Sequence, residues 1–211
     1  NPYDELALTK ALELNEAAGG GSVTVVHVGL ADAEPNLRKA LAVGADDAVR
    51  IDVQPADGFQ VAAEIAAYAK DKGFDLILCG RESIDYNSGI VPGMLAEFLD
   101  WPQANVITSI AVSGNTATLE RDIDGGRESL QMQLPFVASC QKEITEPRIP
   151  NMRGIMMART KPLQVLPAQG TQAPAQVASY ALPPAKAGCK FLEMDEVEKL
   201  VELLHTEAKV I

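Results

Sequence analysis

The sequence predicts an α/β fold built on a doubly wound, mostly parallel sheet, and three observations carry that reading. Val23-Thr24-Val25-Val26-His27-Val28 is a β-branched run that stops at Gly29. Leu76-Ile77-Leu78-Cys79 is an apolar run without a polar break, as in a parallel strand covered on both faces, and Gly80 ends it. Between them, 34–43 and 59–72 carry apolar residues at helical spacing and close on Gly44 and Gly73. Strands alternating with helices over about a hundred residues imply parallel crossovers.

Each element has its own warrant. Asn1 or Asp4 can cap an opening helix with Pro2 in its first turn, Leu6, Leu8, Ala11, Leu12 and Leu14 give it an apolar face, and Gly19-Gly20-Gly21 ends it. A short strand, Ala48–Ile51, lies between the second and third helices, and Ala62, Ile65, Ala66 and Ala69 set the inward face of the third. Beyond Gly80, Asp85, Asn87 and Ser88 are cap-forming residues ahead of the apolar-periodic Met94–Leu99. The pattern changes after Trp101-Pro102. Thr116–Arg121 and Arg127–Leu134 alternate around Asp124-Gly125-Gly126, which predicts an antiparallel hairpin, and Phe136–Cys140 is a further strand. Residues 146–162 read as a loop with a short helix, basic within an acidic chain. An extended arm rich in Pro, Ala, Gln and Gly covers 167–188, and Met194–Lys209 is an amphipathic helix.

Composition narrows the function. The 211 residues are 47% hydrophobic and 22% charged, with a formal net charge of -11. Nucleic acid and anionic membranes attract basic surfaces, so no nucleic-acid partner is expected. Cys79, Cys140 and Cys189 show no metal-ligand spacing; the first two end apolar runs and read as buried thiols of a reducing compartment. His27 and His205 are the only histidines, so no metal centre is expected. No apolar run approaches the ~18 residues of a membrane span. Glu82 and Asp85 read as loop charges rather than a general acid–base pair. Asp122, Asp124 and Glu128 read as turn chemistry. Cys140 has no histidine to activate it as a nucleophile. No catalytic residue is assigned.

The loop from Gly80 to Gly93 lies at the carboxyl end of a parallel strand and feeds a helix start. Open α/β sheets bind ligands there, and free N–H groups at a helix start suit a phosphate. On spacing alone it is equally an ordinary strand–helix connection.

Several segments in one order resemble the β (small) subunit of electron-transfer flavoproteins, over nearly the whole chain. They are Asn1-Pro2-Tyr3-Asp4-Glu5, Leu37–Asp46, Asp100-Trp101-Pro102-Gln103-Ala104, Asp122-Ile123-Asp124-Gly125-Gly126, Leu134-Pro135, Glu146-Pro147-Arg148 and Lys161-Pro162-Leu163. The resemblance implies an adenine-nucleotide α-hydrolase (Rossmann-like) domain over 1–165, with an opening strand expected ahead of Asn1. It also implies an arm and helix over 166–211 that wrap a partner subunit. That partner is a larger α subunit holding most of the redox FAD. This subunit would bury AMP as a structural ligand and perform no chemistry itself. Electrons would come from dehydrogenases such as acyl-CoA dehydrogenases and leave to a quinone-linked oxidoreductase. The compartment implied is the bacterial cytoplasm, or the mitochondrial matrix in a eukaryote.

Carried over residue by residue, the AMP contacts would be Asn1, Pro2, Tyr3 and Asp4, then Val28, then Gly80, Arg81, Glu82, Ser83, Ile84, Asp85, Asn87, Ser88, Gly89, Ile90 and Val91. Asn1 serves equally as a helix cap, Val28 as a core strand end, and Tyr3 as a hydrophobic staple. The chain departs from the family in the loop. Ile84–Gly93 replaces the acidic triple and the Gln-Thr-Gly-Gln run, which leaves the phosphate to backbone N–H groups of Ser88–Val91. Pro92 has none. Electron-bifurcating members hold a second FAD in place of AMP, but their Gly-Asp-Thr-Ala-Gln-Val-Gly-Pro pattern is also missing, so AMP is favoured. Arg148, Ile149, Asn151, Met152 and Arg153 would grip the dehydrogenase, with Met152 as the inserted anchor and Ile155 and Met156 packed as a helix stripe.

Overall fold

Pro2 stands in the first turn of α1 (Pro2–Ala17), which leads through glycines to β1 (Thr24–Val28). Then follow α2 (Glu34–Val43), β2 (Asp47–Asp52), α3 (Gly58–Ala69) and β3 (Leu76–Gly80). Next come α4 (Ile90–Leu99), β4 (Gln103–Ser113), β5 (Thr116–Ile123), β6 (Gly126–Gln133) and β7 (Phe136–Cys140). The chain finishes with α5 (Met152–Ala158), β8 (Leu163–Pro167) and α6 (Val197–Leu203). The computed structural model describes residues 1–186 and 188–211; Ala187, within the expected arm, lies outside the described residues.

The strands form two sheets rather than the single sheet expected. One is parallel throughout, in the order β1-β2-β8. The other runs β3-β7-β4-β5-β6, parallel at β3-β7 and β7-β4 and antiparallel beyond. The separation falls between β1 and β3, each the edge of its sheet. The same helices nevertheless cover both strands. On one face Ile65 of α3 packs in one cluster with Ile77 and in another with Val26. On the other, α1 sets Leu6 and Ala7 against Leu76 and Leu78, and Leu8 against Val25.

All five residues of β7 are buried, the signature of a central strand packed on both faces. Phe136, Ala138 and Cys140 face the α1 side with Ile107, Ala117 and Leu119, while Val137 faces α3 and α4 with Ala62, Ala66 and Leu95. β8 is a strand the sequence reading missed. Its alternation is short and ends in Pro167, which an edge strand tolerates.

The chain divides into two units, Asn1–Gln176 and Val177–Ile211, so 166–176 stays with the first. The reason is Glu64. It is 1% exposed, and its carboxylate accepts from the backbone N–H groups of Gln169 (2.7 Å) and Thr171 (3.2 Å). In the second unit, α6 begins at Val197 and passes at Leu204 into a π-helical turn ending at Ala208, which is shorter than the helix expected over 194–209. Leu182, Phe191 and Met194 are each more than 90% exposed.

Candidate functional site

Two strand ends and one helix start build the site. α1 begins beside the end of β3, so close that Gly80 tolerates no side chain. A Cβ there would lie 2.6 Å from Asp4 Oδ1 and 2.7 Å from Tyr3 Cβ. The Gly80 N–H donates to Asp4 Oδ1 (2.8 Å). Asn1 Nδ2 donates to the Glu82 carbonyl (2.9 Å) and to Asp4 Oδ2 (2.8 Å). Neither side chain makes the capping hydrogen bond that was one reading of Asn1. Both are spent on joining α1 to the loop after β3. Tyr3 packs against the β3–β7 core and lies under the Arg81 guanidinium, 5.1 Å from its ring centre. Arg81 also donates to Glu82 Oε1 (2.7 Å) and Gln141 Oε1 (3.2 Å), and its backbone N–H donates to the Cys140 carbonyl (3.1 Å). Glu82 is therefore paired with a cation.

The loop beyond is a small hairpin. Ser83 and Ser88 pair across it, with Ser83 N donating to Ser88 O (3.0 Å). Asn87 adopts a left-handed conformation (φ 50°), which Asn tolerates better than most residues. Asp85, bonded by Ser83 and by the Tyr86 N–H, is held below the usual carboxylate range. The cap position of α4 belongs to Gly89, with no side-chain capping bond, so Asp85, Asn87 and Ser88 do not cap the helix as expected. Helix-start N–H groups without a cap remain available to a ligand oxygen. Ile84, Tyr86 and Ile90 project outward, with 60%, 70% and 46% exposure.

Val28 ends β1 with its side chain in the core against Val49 and Ile51, so only its backbone faces the site. A cavity of about 310 Å³ opens there, lined by Val28, Gly29, Asn36 and Gln54 among others, with His27 exposed in its wall. The buried Arg50 fixes this strand end by donating to the Gly29 carbonyl (2.9 Å) and pairing with Glu34 and Asp52.

A second cavity, about 360 Å³, sets three residues the sequence reading named, Arg81, Glu82 and Gly89, beside three it did not. Arg81, Glu82, Gly89, Asn105, Val106 and Ser139 line it. β4 changes register here, and Val106 sits at φ 57°, an uncommon conformation for a β-branched residue. Its N–H donates to Ser139 Oγ (2.7 Å). Asn105 precedes it, but no glycine marks the place.

The basic segment near the end of the first unit is anchored rather than loose. Arg148 grips Glu16 of α1 with both terminal nitrogens (2.6 and 2.8 Å), which holds the Glu16 carboxyl below the usual range. Asn151 caps α5, its Oδ1 accepting from Gly154 N (2.8 Å). Ile149, Met152 and Met156 point outward at 91%, 74% and 69% exposure, and Ile155 is 41% exposed. The expected inward stripe of Ile155 and Met156 is therefore corrected. The buried residue of α5 is Ala158, and contact with α2 is made through Gly154, whose Cβ would strike the Ala42 carbonyl oxygen.

Features that imitate catalytic groups are otherwise engaged. Burial pushes the Cys140 thiol up to about 12, which keeps it protonated. Asp122 pairs with Arg127 and Glu128 with Arg121. Among the described residues no group of three or more His, Cys, Asp or Glu side chains could hold a metal, and no helix is long and apolar enough to cross a membrane.

The end of β3, the start of α1 and the uncapped start of α4 meet at one loop, the position where open α/β sheets bind ligands. Residues 1–170 match the family model described as "Electron transfer flavoprotein domain". The electron transfer flavoprotein subunit beta of Bacillus subtilis (strain 168) is 39% identical, over all of this chain and 87% of that protein. That of Syntrophomonas wolfei is 37% identical over all of this chain and 85% of that protein, and the Homo sapiens one 35% identical over 79% and 67%. The chain belongs to the electron transfer flavoprotein family, among its beta subunits.

Proposed function

We propose that this chain is the scaffolding subunit of a heterodimeric electron carrier. It buries AMP against the ends of β1 and β3, at Val28 and Gly80, and helps an α subunit hold FAD. It also docks dehydrogenases, acyl-CoA dehydrogenases among them, whose electrons pass on to a quinone-linked oxidoreductase. The observation that carries this reading is the joining of Asn1 and Asp4 to Gly80 and Glu82 beside the uncapped start of α4. Backbone groups of Val28 suit the base, Asn1 to Asp4 with Gly80 to Ile84 form the walls, and N–H groups from Ser88 to Val91 suit the phosphate. Asp85 and Asn87 shape the hairpin that presents those groups.

The exposed apolar residues of the second unit suit a surface that a partner subunit covers. Arg148 holds the root of the docking segment, and Ile149, Met152 and Arg153 reach outward from it. FAD, supplied mainly by the α subunit, performs the redox chemistry.

Reconstitution tests the reading. The α subunit, refolded with and without this chain, is assayed for FAD retention and for reduction by an acyl-CoA dehydrogenase. Both should require this chain. Equal activity without it would sink the proposal.

A further inference from the structure

The outward face of α5 is apolar, and the helix has seven residues, fewer than a helix needs to be stable alone. Its order comes from α2, through an exchange of helix caps. Arg38 of α2 donates from Nη1 to the carbonyls of Ala158 (2.8 Å) and Lys161 (2.7 Å) at the exit of α5. Lys161 returns the contact. Its Nζ donates to the carbonyls of Leu41 (3.1 Å), Gly44 (3.3 Å) and Ala45 (2.5 Å) at the end of α2. Orphan carbonyls at both helix ends are thus satisfied by cations, the sign that a helix C-terminus favours. Between the two caps Gly154 lies directly on the Ala42 carbonyl, and Ala158 is buried with Leu37, Leu41 and Ala45. Immediately after the clamp, Ala48 N donates to the Pro162 carbonyl (3.0 Å) and β8 joins β2.

We infer that Arg38, Gly154 and Lys161 are positioning residues for partner docking: they hold Ile149, Met152 and Met156 in place before the dehydrogenase arrives. This rests on the docking reading above. A preordered patch spares the ordering cost of each side chain on binding, so loosening two or three of them should weaken docking about tenfold.

The test uses the heterodimer with its FAD, assayed as electron acceptor for an acyl-CoA dehydrogenase. Arg38→Met, Lys161→Met and Gly154→Ala should each raise the apparent KM for the carrier, about tenfold for the strongest, with kcat and nucleotide content unchanged. Hydrogen exchange over 151–161 should quicken. Lys161→Arg, which keeps a cation on the α2 carbonyls, should restore most of the KM. Met152→Ala is the control for the docking reading itself. If Met152→Ala raises KM while the clamp variants loosen 151–161 but leave KM unchanged, the positioning role is overturned and the docking surface stands. If Met152→Ala has no effect, the docking reading falls and this inference with it. Should Arg38→Met fail to fold, the Lys161→Met and Lys161→Arg pair decides.

Discussion

Cys140 has no exposed surface, and its thiol is raised to about 12 from an ordinary value of 9.0. The cause is burial, which disfavours the thiolate. The unfolded chain therefore loses this proton near pH 9 while the folded chain keeps it, so stability should fall as pH rises from about 9 to about 12. Each pH unit across that window should cost on the order of 1 kcal/mol from this thiol. Denaturant titrations at pH 8, 9 and 10 should show Cys140→Ala with a shallower alkaline loss than the parent; an unchanged slope would contradict this. At the end of β3, Asp4→Ala removes the acceptor of the Gly80 N–H. An unpaired buried donor costs about 1–3 kcal/mol, and the heterodimer should release its nucleotide more readily during gel filtration. Asn1, Asp4 and Gly80 were legible in the sequence through family resemblance, although their partners were not. The three form one hydrogen-bonded joint, with Asn1 donating to Asp4 and Asp4 accepting from Gly80. Asn105, Val106 and Ser139 were illegible, because no propensity rule places a valine at positive φ.

Among the elements, α2 was read to the residue, since Glu34, a helical stripe and Gly44 mark both ends. β4 and β8 were not read. β4 follows Trp101-Pro102 and is broken by a register shift, which blurs its alternation. β8 is five residues between a basic helix and a Pro-rich arm, and it exists because β2 offers it a parallel edge. Asp57 caps α3 by accepting from Gln60 N (2.9 Å), and two turns along the same helix Glu64 holds the strand-to-arm junction. Glu64→Leu should leave the N–H groups of Gln169 and Thr171 without acceptors. Hydrogen exchange at those two amides should quicken at least tenfold, at a cost of about 1–3 kcal/mol in stability. Unchanged exchange would mean that β8 alone fixes the junction.

At the scale of the molecule, the parallel sheet could be expected from alternation, but its division could not. Pairing between β1 and β3 is a long-range property, and periodicity reports only which faces are buried. The second unit is similar in kind: its amphipathic stripe was visible, while the exposure of Leu182, Phe191 and Met194 was not. On the proposed reading, the ends of β1 and β3 hold AMP as structure while redox chemistry stays with one FAD. The most direct measurement is to denature the co-purified heterodimer and quantify the released nucleotides by chromatography. One FAD and one AMP per pair is the predicted result. Two FAD and no AMP would contradict it and assign these strand ends to a second flavin, as in an electron-bifurcating carrier.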